Sequence, residues 1–382
     1  MRQTEAALLE RAMTTTGLSD FGDHQDFRTG LRVLVAAAEE AGIDGDVLAG
    51  LEAGWLASLE TRLWLIQLRK ECPEIAAQRI EGPLAVIGLP RTGTTALVDL
   101  LAQDPSARAP LQWETVNLFP PADRTGWAND PRIARLQAEF DETAAANPIV
   151  ALGLHTFGAL LPDECNSFLS LDFWSPNLPV VRPMPNYTEW MRFSGLLRPY
   201  ATHKMVLQHL QAHGPNGRWT LKSPFHLFAL PQLLDEYPDA MLVQTHRDPA
   251  QLMASVCGLY ATVRGLQPGD PGRLATGPEV LKLWGTGIQR GIAARRDPAL
   301  DARVIDLSHR AIATDPLGAV RSVYDHFDLP FTAAAERAMR SWLDHPAQHI
   351  SSVKFSLAEF GLDEAQVEAG FGDYRARYGH LF

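Results

Sequence analysis

The stretch from Pro83 to Leu101, PLAVIGLPRTGTTALVDLL, constrains the fold more than any other part of the chain. Leu84 to Ile87 form an unbroken apolar run that stops at Gly88, and Thr94 opens an apolar pattern at helical spacing. A short apolar run bounded by proline and glycine is the pattern of a strand covered on both faces, as in parallel sheets. The loop between must turn tightly. Gly93 has no Cβ to obstruct an approaching anion, and Thr94 and Thr95 begin a helix whose free N–H groups face the loop. From Gly88 to Thr95 the spacing is that of a phosphate-binding loop, G-x-x-x-x-G-K-[ST], in the strand–loop–helix context the motif requires. One residue departs: Thr94 stands in the lysine position, and Arg91 lies three residues earlier.

Three further runs, RWTLK ending at Lys222, AMLVQT ending at Thr245 and ARVIDL ending at Leu307, are each followed by a polar turn and a helical pattern. This alternation predicts an α/β protein, a three-layer P-loop-like fold around a central parallel sheet. Ligands of such sheets lie beyond the carboxyl ends of the strands, so the residues just after each run are the candidate site. Lys222 ends the second run, with Ser223 and Pro224 placed to cap the next helix. Arg247 follows the third, and Ser255 lies eight residues on. A guanidinium fork and a hydroxyl can clamp an anion. Taken singly, Lys222 also fits an exposed strand-end lysine and Arg247 a carboxylate partner. Taken together with Arg91, they surround one helix N-terminus and suit a polyanion with two separated charged groups. The acid in a Walker B-like position is Asp306, and no acidic cluster suggests magnesium. His345 and His349 are interrupted by Pro346 and lack a third ligand, so no metal site is expected.

Residues 1–80 read as three helical patterns and form an N-terminal extension; residues 81–382 carry the alternating pattern. Between the first and second runs lies an insertion, residues 122–211, containing DFWSPNLPVVRPMPNYTEWMRF. Its length suits a lid or acceptor wall, or a plain helical subdomain. Trp174 and Trp190 within it are read as core. The net charge of -11 provides no basic field for nucleic acid, so an anionic ligand must be held by local lysines and arginines. No apolar run reaches membrane-spanning length, and the amphipathic start has no signal-peptide h-region. Cys72, Cys165 and Cys257 are widely spaced, which fits a reducing, cytoplasmic setting. Homo-oligomerisation is left open.

At these residues the chain resembles the sulfotransferases that use 3'-phosphoadenosine 5'-phosphosulfate (PAPS). GLPRTGTT is similar to their 5'-phosphosulfate loop in the P-R-[ST]-G-T-T form of the tyrosylprotein and bacterial branches. The resemblance implies that Arg91, Thr92, Gly93, Thr94 and Thr95 hold the donor. Arg247 and Ser255 match the family's 3'-phosphate pair, LKSPFHL the segment whose Lys222 lies near the sulfuryl bridge, and SVKFSLAEFGL a bacterial C-terminal element whose Lys354 touches phosphate. The similarity spans about residues 83–380, and the first 80 residues resemble the helical extension of one bacterial subgroup.

The resemblance implies PAPS as co-substrate, adenosine 3',5'-bisphosphate (PAP) as product, no metal, and a small acceptor with a hydroxyl group. The apolar insertion suits an apolar or lipid-like acceptor. It also gives a reason for the missing lysine. Arg91 and Lys222 can meet the charge that builds on the bridging oxygen as the S–O bond breaks. The general base implied is a glutamate shortly after the first helix, here Glu114, at a gap about one residue longer than the family's. In the cytosolic branch the base is a histidine two residues after the lysine; Pro224 stands there, leaving His226 and His155 as alternatives. His309 stands where relatives often carry a tyrosine that contacts the nucleotide. Two other readings remain: an ATP-dependent P-loop phosphoryl-transfer enzyme, and a catalytically inactive nucleotide-binding protein.

Overall fold

The computed structural model describes residues 3–194, 199–266, 272–344 and 353–382. Its centre is a sheet of five parallel strands in the order β2-β3-β1-β4-β5. They are β1 (Leu84–Gly88), β2 (Ala107–Arg108), β3 (Arg218–Lys222), β4 (Met241–His246) and β5 (Val304–Ser308). The four apolar runs are β1, β3, β4 and β5. The short β2 was not anticipated: two residues, one of them an arginine, carry no strand period.

Register brings the carboxyl ends together. Val86 of β1 lies beside Lys222 of β3 and Val243 of β4, Gly88 beside Thr245, and His246 beside Ser308. The glycine loop, Lys222 and Arg247 therefore leave the same edge of the sheet.

Alternation along β1 divides the apolar core into two. Ala85 and Ile87 join one buried cluster with Leu221, Leu242 and Trp284. Leu84 and Val86 join the other with Leu97, Val243, Leu307 and Val320. Helices cover both faces, which makes the three layers. The N-terminal helices α1 (Glu5–Thr16), α2 (Asp26–Glu40) and α3 (Gly45–Glu71) contribute Leu8, Leu31, Leu59 and Leu63 to the first cluster.

They are also tied to the insertion through Arg62 of α3, a buried guanidinium. It donates to the carbonyls of Phe21 and His24, to Thr202 Oγ1, and to Asp172 Oδ1 at 2.6 Å. Each of its three nitrogens thus finds an acceptor, which offsets the burial of the guanidinium. The insertion itself is helical, with Pro131–Ala144, Pro185–Phe193 and Pro199–His213 as its longer elements. Trp174 is buried within it and Trp190 packs against the same core. Among the described residues no helix is long and apolar enough to cross a membrane.

Candidate functional site

The loop after β1 turns tightly, as its sequence anticipates at Gly93, though the left-handed backbone at Arg91 had no sequence signal. Arg91 (φ 66°) and Gly93 (φ 89°) are both left-handed, and a Cβ on Gly88 (φ 134°) would stand 2.6 Å from Thr245 Oγ1. Thr92 is fully buried, with its hydroxyl donating to Leu89 O and 2.6 Å from Thr245 Oγ1. That hydroxyl locks the loop onto β4 and faces the fold. Thr94 and Thr95 open the helix Thr94–Leu101, as expected.

Around this loop the cations converge. Lys222 Nζ donates to Thr95 Oγ1 at 2.9 Å. Arg91 Nε donates to Ser255 Oγ at 3.1 Å and its NH1 to Leu154 O at 2.9 Å, while Arg247 NH1 reaches Arg91 O at 3.1 Å. Burial lowers the pKa of both arginines, and for Arg91 the charge of Arg247 adds to the effect. Among the described residues neither guanidinium forms a salt bridge. Two adjacent desolvated cations beside a helix N-terminus form a place for phosphate-like dianions. They border a cavity of about 770 Å³ whose wall also includes Ser255, Lys354 and Phe355.

Asp306, the acid in the Walker B-like position, is already engaged. Arg295 grips it with two hydrogen bonds of 2.6 and 2.8 Å, and His246 Nε2 lies 2.8 Å away. Among the described residues no cluster of His, Cys, Asp or Glu could hold a metal ion. His345 and His349 lie outside the described residues.

A second cavity, of about 480 Å³, begins at Pro90 next to Arg91. Its walls are mostly apolar, from Val116, Phe140, Phe157, Val181, Leu259 and Trp284, and its polar lining includes Asp163, Glu164, Asn166 and His155. Glu164 Oε1 is 2.9 Å from Lys222 Nζ, and Glu164 Oε2 accepts from Asn166 Nδ2 at 2.7 Å. A backbone hydrogen bond from Cys165 N to Lys222 O, 2.8 Å, pins this acidic segment to the end of β3. Burial raises the pKa of Asp163, whose carboxylate accepts from Thr115 Oγ1. Burial, with Lys222 adding, lowers His155 to about 4, so its imidazole is neutral near pH 7. His226 is fully buried beneath the cavity wall, 2.8 Å from the Tyr200 hydroxyl through Nδ1, and burial lowers it to about 3.

Glu114 is not brought to the cavity. In the helix Gln112–Val116, residues four apart share a face, so Gln112 and Val116 line the cavity while Glu114, midway between, points away. Its carboxylate is buried, paired with Arg108 at 2.6 Å, and accepts from Trp127 Nε1 at 2.9 Å and Leu111 N at 3.1 Å. These contacts make Glu114 a buried anchor of its own helix. The carboxylate beside Lys222 is Glu164, which no sequence motif had singled out. Its local signal is an acidic pair, Asp163-Glu164, which Asp141-Glu142 in the same insertion gives equally.

A model of the Sulfotransferase family matches residues 83–333. The chain belongs to the sulfotransferase family. The sulfotransferase STF1 from Mycobacterium tuberculosis H37Rv is 32% identical, with 97% of this chain and 99% of that one covered and a TM-score of 0.82. The sulfotransferase STF9 from Mycobacterium avium is 28% identical over 98% of this chain and 96% of that one, with a TM-score of 0.87. Both likenesses include the N-terminal helices. Omega-hydroxy-beta-dihydromenaquinone-9 sulfotransferase Stf3 of Mycobacterium bovis is 25% identical over 164 residues, 42% of this chain. The chain spans 40% of the length of that relative. Membership of the sulfotransferase family implies a sulfonate donor, and a phosphate-type loop without its lysine is in keeping with one.

Proposed function

We propose that this protein transfers a sulfuryl group from PAPS to the hydroxyl of an apolar, lipid-like acceptor by in-line displacement. One observation carries the reading: Lys222 touches both Thr95 of the glycine loop and Glu164 of the apolar cavity, each at 2.9 Å. A donor seated at the loop would thus have its reacting end where the acceptor cavity begins.

In this reading the cavity bordered by Arg91, Arg247, Ser255 and Lys354 takes the nucleotide, with Arg247 and Ser255 on the 3'-phosphate. The amides of Gly93, Thr94 and Thr95 hold the 5'-phosphate. Glu164 accepts the acceptor's hydroxyl proton as its oxygen attacks sulfur. The bond from sulfur to the bridging oxygen breaks, and the charge left on the 5'-phosphate is met by Lys222 and Arg91. Preorganised donors of this kind are worth roughly 10²–10³ in rate each. Glu164 replaces Glu114 as the proposed base, with neutral His155 the next candidate on the same wall. Residues 1–80 act as a helical extension and residues 122–211 as the acceptor wall. The cytoplasm is the proposed setting, in keeping with three free cysteines, two of them buried.

The apolar walls support an apolar acceptor, and the likeness to an enzyme named for an omega-hydroxy menaquinone supports a lipid. Calorimetry with PAP and with ATP–Mg²⁺ tests the donor. PAP is expected to bind in the micromolar range and lose most of its affinity in Arg247→Ala, while ATP–Mg²⁺ binds poorly. Preference for ATP–Mg²⁺ would replace this reading with phosphoryl transfer. Transfer of labelled sulfate from PAPS to a panel of apolar alcohols tests the acceptor and separates the enzyme from an inactive nucleotide binder.

A further inference from the structure

His309 is the first residue of the helix His309–Thr314, directly after β5, and so stands at the same sheet edge as the donor loop. A Cβ built on Gly93 would lie 3.4 Å from its Cδ2, so the imidazole rests against the glycine of that loop. The ring is partly buried, and among the described residues it has no hydrogen-bond partner. The charged groups acting on it from neighbouring elements are Arg247, after β4, and Arg91, after β1. On its own helix Arg310 is exposed, and Asp315 beyond the end is occupied in capping the next helix. The charges acting on the imidazole are thus these two cations; Asp363 and Glu364, the carboxylates in the donor cavity's wall, are not among them.

Resting on the donor reading above, we infer that His309 is a third, proton-dependent cation of the donor site. It takes up a proton when the bisphosphate moiety binds, so affinity for that anion rises as pH falls. The physical reason is a reversal of the local field. Burial, then Arg247 and Arg91, hold the ring's pKa below its ordinary value and keep it neutral near pH 7. Phosphate charge entering the same crevice neutralises the two guanidiniums and favours imidazolium. Binding is then linked to protonation, with the sign fixed by a bound pKa higher than the free one. The gain in affinity appears as pH falls through the bound value and is complete below the free value.

The test is calorimetry of PAP with the wild-type chain, His309→Gln and His309→Arg, between about pH 6 and about pH 8. PAP's own phosphates titrate near pH ~6 with the opposite sign, so the comparison is between proteins at each pH. We expect the wild-type and His309→Gln affinities to converge at the alkaline end. At the acid end wild type should bind more tightly, up to about tenfold for each unit by which the ring's pKa rises. Heats in buffers of different ionisation enthalpy should show more proton uptake by wild type than by His309→Gln. His309→Arg, charged throughout, should bind tightly at the alkaline end and show no extra uptake.

Parallel pH profiles and equal proton uptake in wild type and His309→Gln, with PAP binding intact, would overturn this inference and leave the donor reading standing. Failure of PAP to bind any form at any pH would overturn both.

Discussion

The Lys222 ammonium and the Glu164 carboxylate form an ion pair of 2.9 Å in which the lysine side chain is 3% and the glutamate 26% exposed. The lysine's second contact, Thr95 Oγ1, belongs to the glycine loop. A nearly buried ammonium needs such partners to offset its desolvation. The same geometry joins the proposed donor loop to the proposed proton acceptor through one side chain.

If Glu164 takes the acceptor's proton, Glu164→Gln removes the base while keeping shape and most hydrogen bonds. Turnover should fall about 10²–10⁴-fold, with PAP affinity changed little. Steady-state rates with calorimetry on the same preparation check this. Wild-type turnover in the variant would return the role to His155.

Glu114 should behave as a structural residue. Glu114→Gln leaves Arg108 buried without its counterion, and breaking such a pair by removing one partner costs about 3–5 kcal/mol. Urea unfolding should show that loss, while turnover per folded molecule stays within a few-fold of wild type. Unchanged stability with lost turnover would make Glu114 catalytic after all.

Stability should fall on mild acidification. Burial lowers His226 to about 3, and His155 and His209 to about 4, so all three are neutral in the fold. Unfolded, each binds a proton near pH ~6.5, so the unfolded chain holds more protons below that value. Their contribution is complete above pH ~6.5 and is lost as pH falls, by up to roughly 1.4 kcal/mol per pH unit for each histidine. Asp172 works in the opposite sense, since burial raises its carboxyl to about 6. Chemical denaturation from about pH 7 to about pH 5 measures the balance, which the three histidines should dominate. A flat profile would mean that at least some of them are charged in the fold.

The acceptor cavity should be tunable without touching the donor. Val181 lines it and lies on the short helix Leu178–Val181. Val181→Phe fills part of the space and should raise KM for the bulkiest acceptors by roughly tenfold, in the range of overpacking costs. PAP affinity should be unchanged. Equal effects on small and large acceptors would place the acceptor elsewhere.

Much of the proposed donor side was legible in the sequence, because most of its residues sit at a fixed offset from a strand end. An apolar run read as a buried strand places the next few residues at the carboxyl edge. That rule alone gathers Arg91, Thr95, Lys222 and Arg247, though 156 residues separate the first of these from the last. Thr92 shows the limit even here: its place in the loop was plain, but its hydroxyl turned inward to Thr245.

The acceptor side was not legible in the same way. Whether Glu114 or Glu164 meets Lys222 depends on which face of a five-residue helix is turned outward and on where a long insertion returns to the sheet. The first is decided by the match between Glu114 and a buried Arg108. The second is decided by one backbone hydrogen bond, Cys165 N to Lys222 O. Strand and loop chemistry is local, so the amino-acid order determined the fold class and the ring of cations. Pairing of charges across the chain is a matter of packing, and only the tertiary structure decided which carboxylate stands beside the lysine.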